Sequence, residues 1–274
     1  MQRLGIFIFG LVAYAVGIGG LNAFILFTGG WDFMPMHVDS KSPLILVEGW
    51  AIAINVGLVT LFGLQHSITA RPGFKRFLTR ILPASAERSS YVLLSGVIML
   101  LIVVGWQPMD GTFWHAEHPL AVYSLLALHV LGWTIAFVAT FLINHFELFG
   151  LQQVYHRLKN TVPPEPAFTE RLLYRVVRHP LQMGVLIGLW ATPTMSYSHA
   201  LLALTMTVYV FIGLYFEERD LVRTLGQQYA DYRTRVPMVL PLPKAKRQAE
   251  SAPTVPTPVI TTGDPEDAAG QPSA

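Results

Sequence analysis

The chain contains no cysteine among its 274 residues. That excludes a disulfide framework, a thiolate zinc site and a cysteine nucleophile. Charge is scarce as well: charged residues make up 13% of the chain and hydrophobic ones 52%, with a formal net charge of +2. A soluble domain carries about 25% charged residues, so the composition excludes an ordinary soluble fold. No HExxH motif or close His/Asp cluster occurs, and no metal is expected. Its basic residues lack an interleaved aromatic platform, which argues against nucleic acid. No internal repeat is evident.

What the chain has is long apolar runs, at about Leu4–Thr28, Leu44–Leu64, Ser90–Trp106 and Leu120–Phe149. A fifth apolar stretch, Leu181–Phe216, is 36 residues long and is broken by Thr192-Pro193-Thr194 and Ser196-Tyr197-Ser198. The expected fold is an all-α polytopic membrane protein with about five to six membrane helices, the last two forming a hairpin. The first run is too long for a cleaved leader and is expected to stay as a membrane helix. Gly17, Gly19 and Gly20 would let another helix approach it closely. With these spans, 18 of the 19 Lys and Arg residues fall on one side, Lys41 being the exception. The positive-inside rule then puts both termini in the cytoplasm, and the expected location is a bacterial-type inner membrane. Residues 244–274 are rich in Pro, Thr, Ala and Gly and read as a disordered cytoplasmic tail.

The hairpin length brings distant polar residues together. Two arms of about 16 residues span about 24 Å each. The chain must therefore return Glu217 to the membrane face that holds His179, 38 positions earlier. Arg178, His179, Glu217 and Glu218 should share one aqueous boundary.

This block resembles the C-terminal signature of the isoprenylcysteine carboxyl methyltransferase superfamily: R-H-P-x-Y-x-G, a hairpin, E-E-x-x-L, G-x-x-Y-x-x-Y, then V-P. The matching residues are Arg178, His179, Pro180 and Gly184; Glu217, Glu218 and Leu221; and Gly226, Tyr229, Tyr232, Val236 and Pro237. Gln182 stands where the family has tyrosine, so a contact by that ring does not carry over. The resemblance implies a membrane methyltransferase domain over residues 1–243, with S-adenosylmethionine bound by the block 174–243. Within that block Tyr174, Arg178, His179, Pro180, Gly184, Glu217, Glu218, Tyr229 and Tyr232 are the expected donor-site residues.

Two upstream clusters narrow the resemblance. QHSITARPGFKRFLTRILPASAERSSYVLLSG and NHFELFGLQQV, with LYRVVRHPLQMG and FEERDL, are similar to the methanethiol S-methyltransferases and in part to NnrU-type membrane proteins. The implied acceptor is a small thiol, methanethiol giving dimethyl sulfide. A neutral thiol is a poor nucleophile, so a base or a cation must favour the thiolate. Histidine titrates near working pH and suits that task. His66 and His145 are the candidate bases, with Arg71 and Arg88 as electrostatic helpers. Phe74, Phe77, Leu78 and Ile81 suggest a short amphipathic helix in the interface, its Lys75, Arg76 and Arg80 toward lipid headgroups.

Plainer readings stand beside these. His179 can simply precede a helix with proline at its first position, the two glutamates can be a solvated pair, and the tyrosines can be interfacial belt residues. His66 and His145 can be satisfied by backbone or lipid. His129, alone among apolar residues, reads as structural, and His115 and His118 fall in an opposite-side loop. A methyltransferase acting on a lipid amine or a prenylcysteine carboxylate, and a non-enzymatic haem or transport protein, remain open alternatives. The sequence leaves the oligomeric state open.

Overall fold

The computed structural model describes residues 1–31, 34–43, 49–164 and 170–242. The expected tail, 244–274, lies outside them. The helices in chain order are α1 (Gln2–Thr28), α2 (Ala51–Thr69), α3 (Pro72–Leu78), α4 (Glu87–Gly105), α5 (Pro119–Ile143), α6 (His145–Leu148), α7 (Leu151–Lys159), α8 (Leu173–Val176), α9 (Pro180–Trp190), α10 (Tyr197–Leu225) and α11 (Gln227–Arg235). Among the described residues, five segments are long and apolar enough to cross a membrane: α1, α2, Ala84–Gly105, α5 and α10. The protein is an integral membrane protein with a predominantly helical fold.

The long helices and α9 share one core. Phe24 and Phe27 of α1, Val59 and Phe62 of α2, Ile102 and Val103 of α4, Trp133 of α5, Leu189 of α9 and Met206 of α10 are buried in a single cluster. Small residues decide the closest approaches. A Cβ at Gly184 would lie 2.5 Å from the Ala136 backbone nitrogen, so α9 and α5 pack backbone to backbone there. Without a hydrophobic force between helices in lipid, such contact supplies the attraction through dispersion.

The hairpin departs from the expected pair of equal arms. Helix α9 has 11 residues and α10 has 29. At 1.5 Å per residue α9 covers only about 16 Å, half of the ~30 Å hydrocarbon core. A link of residues 191–196 joins α9 to α10. In it Thr194–Ser196 (β2) pairs antiparallel with Thr112–His115 (β1). This two-stranded ribbon is an addition to the all-helical expectation. Pro193 and the β-branched threonines disfavour helix at that point. Extended backbone needs an external partner for its polar groups, and β1 supplies it.

Two further differences sit at helix ends. The expected Leu44–Leu64 span is observed as Ala51–Thr69, with residues 44–48 outside the described ones. The run Leu120–Phe149 is interrupted at Asn144, whose backbone is extended and whose side chain accepts from the Glu147 N–H at 3.2 Å. Asparagine is a good helix N-cap, so one helix stops there and a new turn begins. Helix α3 forms but ends at Leu78, short of the expected Ile81, and has no buried residue.

Candidate active site

Arg178 and His179 enter the site on the segment just before α9, anchored by the C-terminal strand of chain. The Arg178 N–H donates to the Pro237 carbonyl at 2.9 Å, and the His179 N–H to that of Met238 at 3.0 Å. Glu217 and Glu218 arrive on α10 where its apolar face ends. Gly226, at φ +60, lets the chain turn from α10 into α11, and that turn carries Tyr229 and Tyr232 back toward Glu218.

The result is a closed polar knot around Glu218, which is 6% exposed. Arg178 binds it in bidentate fashion, Nε to Oε1 and Nη2 to Oε2, both at 2.9 Å. His179 Nε2 lies 2.7 Å from Oε1, the Tyr229 hydroxyl donates to Oε1 at 2.7 Å, and Arg233 Nε lies 2.9 Å from Oε2. A carboxylate offers about four acceptor sites, so protein partners fill Glu218. Arg178 Nη1 also donates to the Val236 carbonyl at 2.6 Å, and the Tyr232 hydroxyl to the Tyr174 carbonyl at 2.5 Å. The knot thus ties α8, α9, α10 and α11 together. Burial raises the pKa values of Tyr174 and Tyr229, with the Glu218 hydrogen bond adding to the rise at Tyr229. The Tyr232 hydroxyl is pushed up to about 12, first by burial and then by the charge of Glu170. All three remain neutral donors at physiological pH.

Glu217 differs from its neighbour. Its side chain is 47% exposed, and its Oε1 lies 3.9 Å from His179 Nδ1. A second polar region draws on the same helix, α10.

That second region is built from α2, α4 and α10. His66 Nε2 lies 2.5 Å from the Tyr91 hydroxyl, and its Nδ1 lies 3.3 Å from Ser95 Oγ. The His66 ring also meets Tyr209, with centroids 6.2 Å apart. Ser95 Oγ lies 3.4 Å from Gln65 Oε1. His66 as a whole residue is only partly buried.

The other expected residues are placed elsewhere. His145 is buried at 3% exposure, and both ring nitrogens are used: Nε2 by the Tyr14 hydroxyl at 2.9 Å and Nδ1 by Thr140 Oγ1 at 2.8 Å. Phe141 stacks on its ring at 4.2 Å. Burial lowers the His145 pKa from 6.5. The structure does not group His145 with His66: the partners of His145 come from α1 and α5. Arg88 donates from Nε to the Leu148 carbonyl at 2.9 Å, closing α6, and its guanidinium lies 5.1 Å over the Tyr91 ring. Arg71 pairs with Asp220 at 2.9 Å and stacks over Phe216. Pro180 opens α9, and Gly184 makes the α5 contact described above.

Sequence reasoning missed Tyr91, Ser95, Tyr209, Tyr14 and Arg233. A signal existed for the first two. Tyr91 and Ser95 stand four apart in a helical stretch, which puts them on one face, one turn beyond Arg88. Tyr209 and Tyr14 lie inside apolar runs where tyrosine carries no distinguishing pattern.

Comparison with known proteins extends over nearly the whole chain. It is 42% identical to methanethiol S-methyltransferase 2 of Bradyrhizobium diazoefficiens over 248 residues, covering 90% of this chain and 94% of that protein. It is 43% identical to the methanethiol S-methyltransferase of Mycobacterium tuberculosis over 243 residues, 89% of this chain and 98% of the other. A more distant similarity, 30% over 230 residues, links it to nurim of Sus scrofa, covering 77% of this chain. No family model and no solved structure matches. At this identity over almost the full length of both partners, the chain belongs to the methanethiol S-methyltransferase family.

Proposed function

We propose that the protein is an S-adenosylmethionine-dependent enzyme that methylates methanethiol to dimethyl sulfide. The observation that carries this reading is the near-full-length identity with methanethiol S-methyltransferases. Two features of the structure support it: a half-exposed carboxylate beside the saturated knot, and a separate histidine–tyrosine pair.

The residues fit a cationic donor. Glu217, exposed beside a knot whose own carboxylate is saturated, has the charge and the free acceptor capacity to hold an ammonium group or a ribose hydroxyl. His179 Nδ1 lies on the same edge. Arg178, Glu218, Tyr229 and Tyr232 hold that edge rigid, and Gly184 and Pro180 set the position of α9. S-adenosylmethionine, when bound there, supplies the electrophilic methyl group. Metal takes no part in this reading.

His66 is the proposed base. The thiol S–H bond breaks as sulfur forms its new bond to carbon, and the proton passes to the imidazole, directly or through the Tyr91 hydroxyl 2.5 Å away. Arg88, over the Tyr91 ring, adds positive potential that favours a thiolate. The surrounding Phe62 and Tyr209 rings exclude water from the acceptor.

We further propose that the site faces the cytoplasm in a bacterial-type inner membrane, with both termini on that side. The charge asymmetry supports this orientation: Lys41 alone stands against 18 other basic residues. Membranes containing the protein, given S-adenosylmethionine and methanethiol, are expected to release dimethyl sulfide into the headspace. Absence of product from folded protein would sink the reading. Reporter fusions at residue 274 and within 107–119 check the orientation, with a cytoplasmic signal expected only from the first.

A further inference from the structure

We propose that the adjoining ends of α2 and α10 form a headgroup site for an anionic phospholipid. A cavity of about 420 Å³ there is lined by Arg71, Phe216, Arg219, Asp220 and Arg223. Asp220 is its one carboxylate, paired with Arg71 at 2.9 Å and Arg223 at 3.6 Å. Three arginines and one carboxylate in the lining leave a net positive cavity. Arg223 and Arg71 stay accessible, with side chains 68% and 43% exposed. Guanidinium forks match phosphate oxygens in geometry as well as charge.

The surroundings select a lipid over free phosphate. Along α10, toward the membrane, Ile212, Tyr215 and Phe216 are exposed at 54%, 59% and 42%. Beyond Arg71, α3 buries none of its residues, and Phe77 and Ile81 are exposed at 55% and 68%. Arg76 and Arg80 add charge to that same segment. A basic cavity continuous with bare apolar surface offers one place for a headgroup and another for acyl chains. Free phosphate would use only the first. Asp220 then has a second task beyond pairing: it holds Arg71 and Arg223 apart as two arms of a clamp.

Native mass spectrometry of the purified full-length protein, titrated with phosphatidylglycerol or phosphatidylcholine, tests this. Phosphatidylglycerol is expected to bind at least tenfold more tightly. A basic residue near the surface is worth about 1 kcal/mol toward anionic lipid, so Arg219→Gln with Arg223→Gln should weaken it about thirtyfold. Arg219→Lys with Arg223→Lys should keep a preference for the anionic lipid. Raising the salt should weaken the wild type far more than the Gln pair. Equal affinity for the two lipids, or unchanged phosphatidylglycerol binding in the Gln pair, overturns the proposal. So does a Gln pair that loses methyl-donor affinity while its lipid preference stands, because the cavity then serves the donor. Arg223→Gln alone, at a mostly exposed position, gives the same reading at about fivefold if the pair fails to fold.

Discussion

Glu217 and Glu218 are adjacent in the chain and opposite in surroundings, and the two polar regions they face differ in the same way. Around Glu218 every acceptor site is taken by Arg178, His179, Tyr229 or Arg233. Around His66 the polar groups are fewer, partly exposed, and linked in a line from Gln65 through Ser95 to Tyr91. A charge taken from water costs several kcal/mol unless its new partners are complete. The knot meets that cost in full and becomes rigid. The His66 region is smaller, with one hydroxyl at each ring nitrogen. The contrast teaches that a charged residue in a motif can act by holding other groups still.

The comparison breaks most visibly at Glu218. Glu218→Ala would leave Arg178 and His179 buried without their counter-charge, and an expected loss of about 3–5 kcal/mol of stability should show as poor recovery of folded protein in detergent. A well-folded Glu218→Ala variant that merely binds the donor less tightly would reverse the assignment. The next effect lies on the other side: His66→Gln should lower turnover about 10²–10⁴-fold with donor affinity nearly unchanged. Partial return of rate at high pH, where thiolate forms without help, would mark the loss as one of proton transfer. Near-normal turnover at neutral pH would remove His66 from that role.

Glu217→Gln sharpens the contrast within the pair itself. Donor affinity by calorimetry should fall by about 1–3 kcal/mol, the range for a hydrogen bond to a charged group, while the fold persists. Unchanged affinity would mean the donor lies elsewhere. The smallest effect concerns His145. Burial lowers its pKa in the folded state, so below about pH 6.5 the unfolded chain takes up a proton that the folded chain resists. Its contribution to stability is constant above that value and falls as the pH drops through it. His145→Gln should flatten part of the acid decline in thermal stability, and a variant with the wild-type pH profile would contradict this.

Parts of the site were legible because they follow from chain length. His179 and Glu217 meet because the apolar stretch between them must leave the membrane surface and return. The path it takes was not legible. Local sequence marks the break near Pro193, but the 11-residue arm and the paired strand depend on β1, about 80 positions earlier. Likewise the helix ends bearing His66 and His145 were readable from the apolar runs, and their different fates were not. His145 folds back against Tyr14, a contact across 131 positions.

The sequence by itself determined that this is a membrane protein, where its polar layer lies and which motifs that layer holds, because hydrophobicity, charge and length are local properties summed along the chain. Only the tertiary structure decided which glutamate is saturated and which partners each histidine receives. A side chain's capacity to act depends on the partners that reach it, and those arrive from helices remote in sequence.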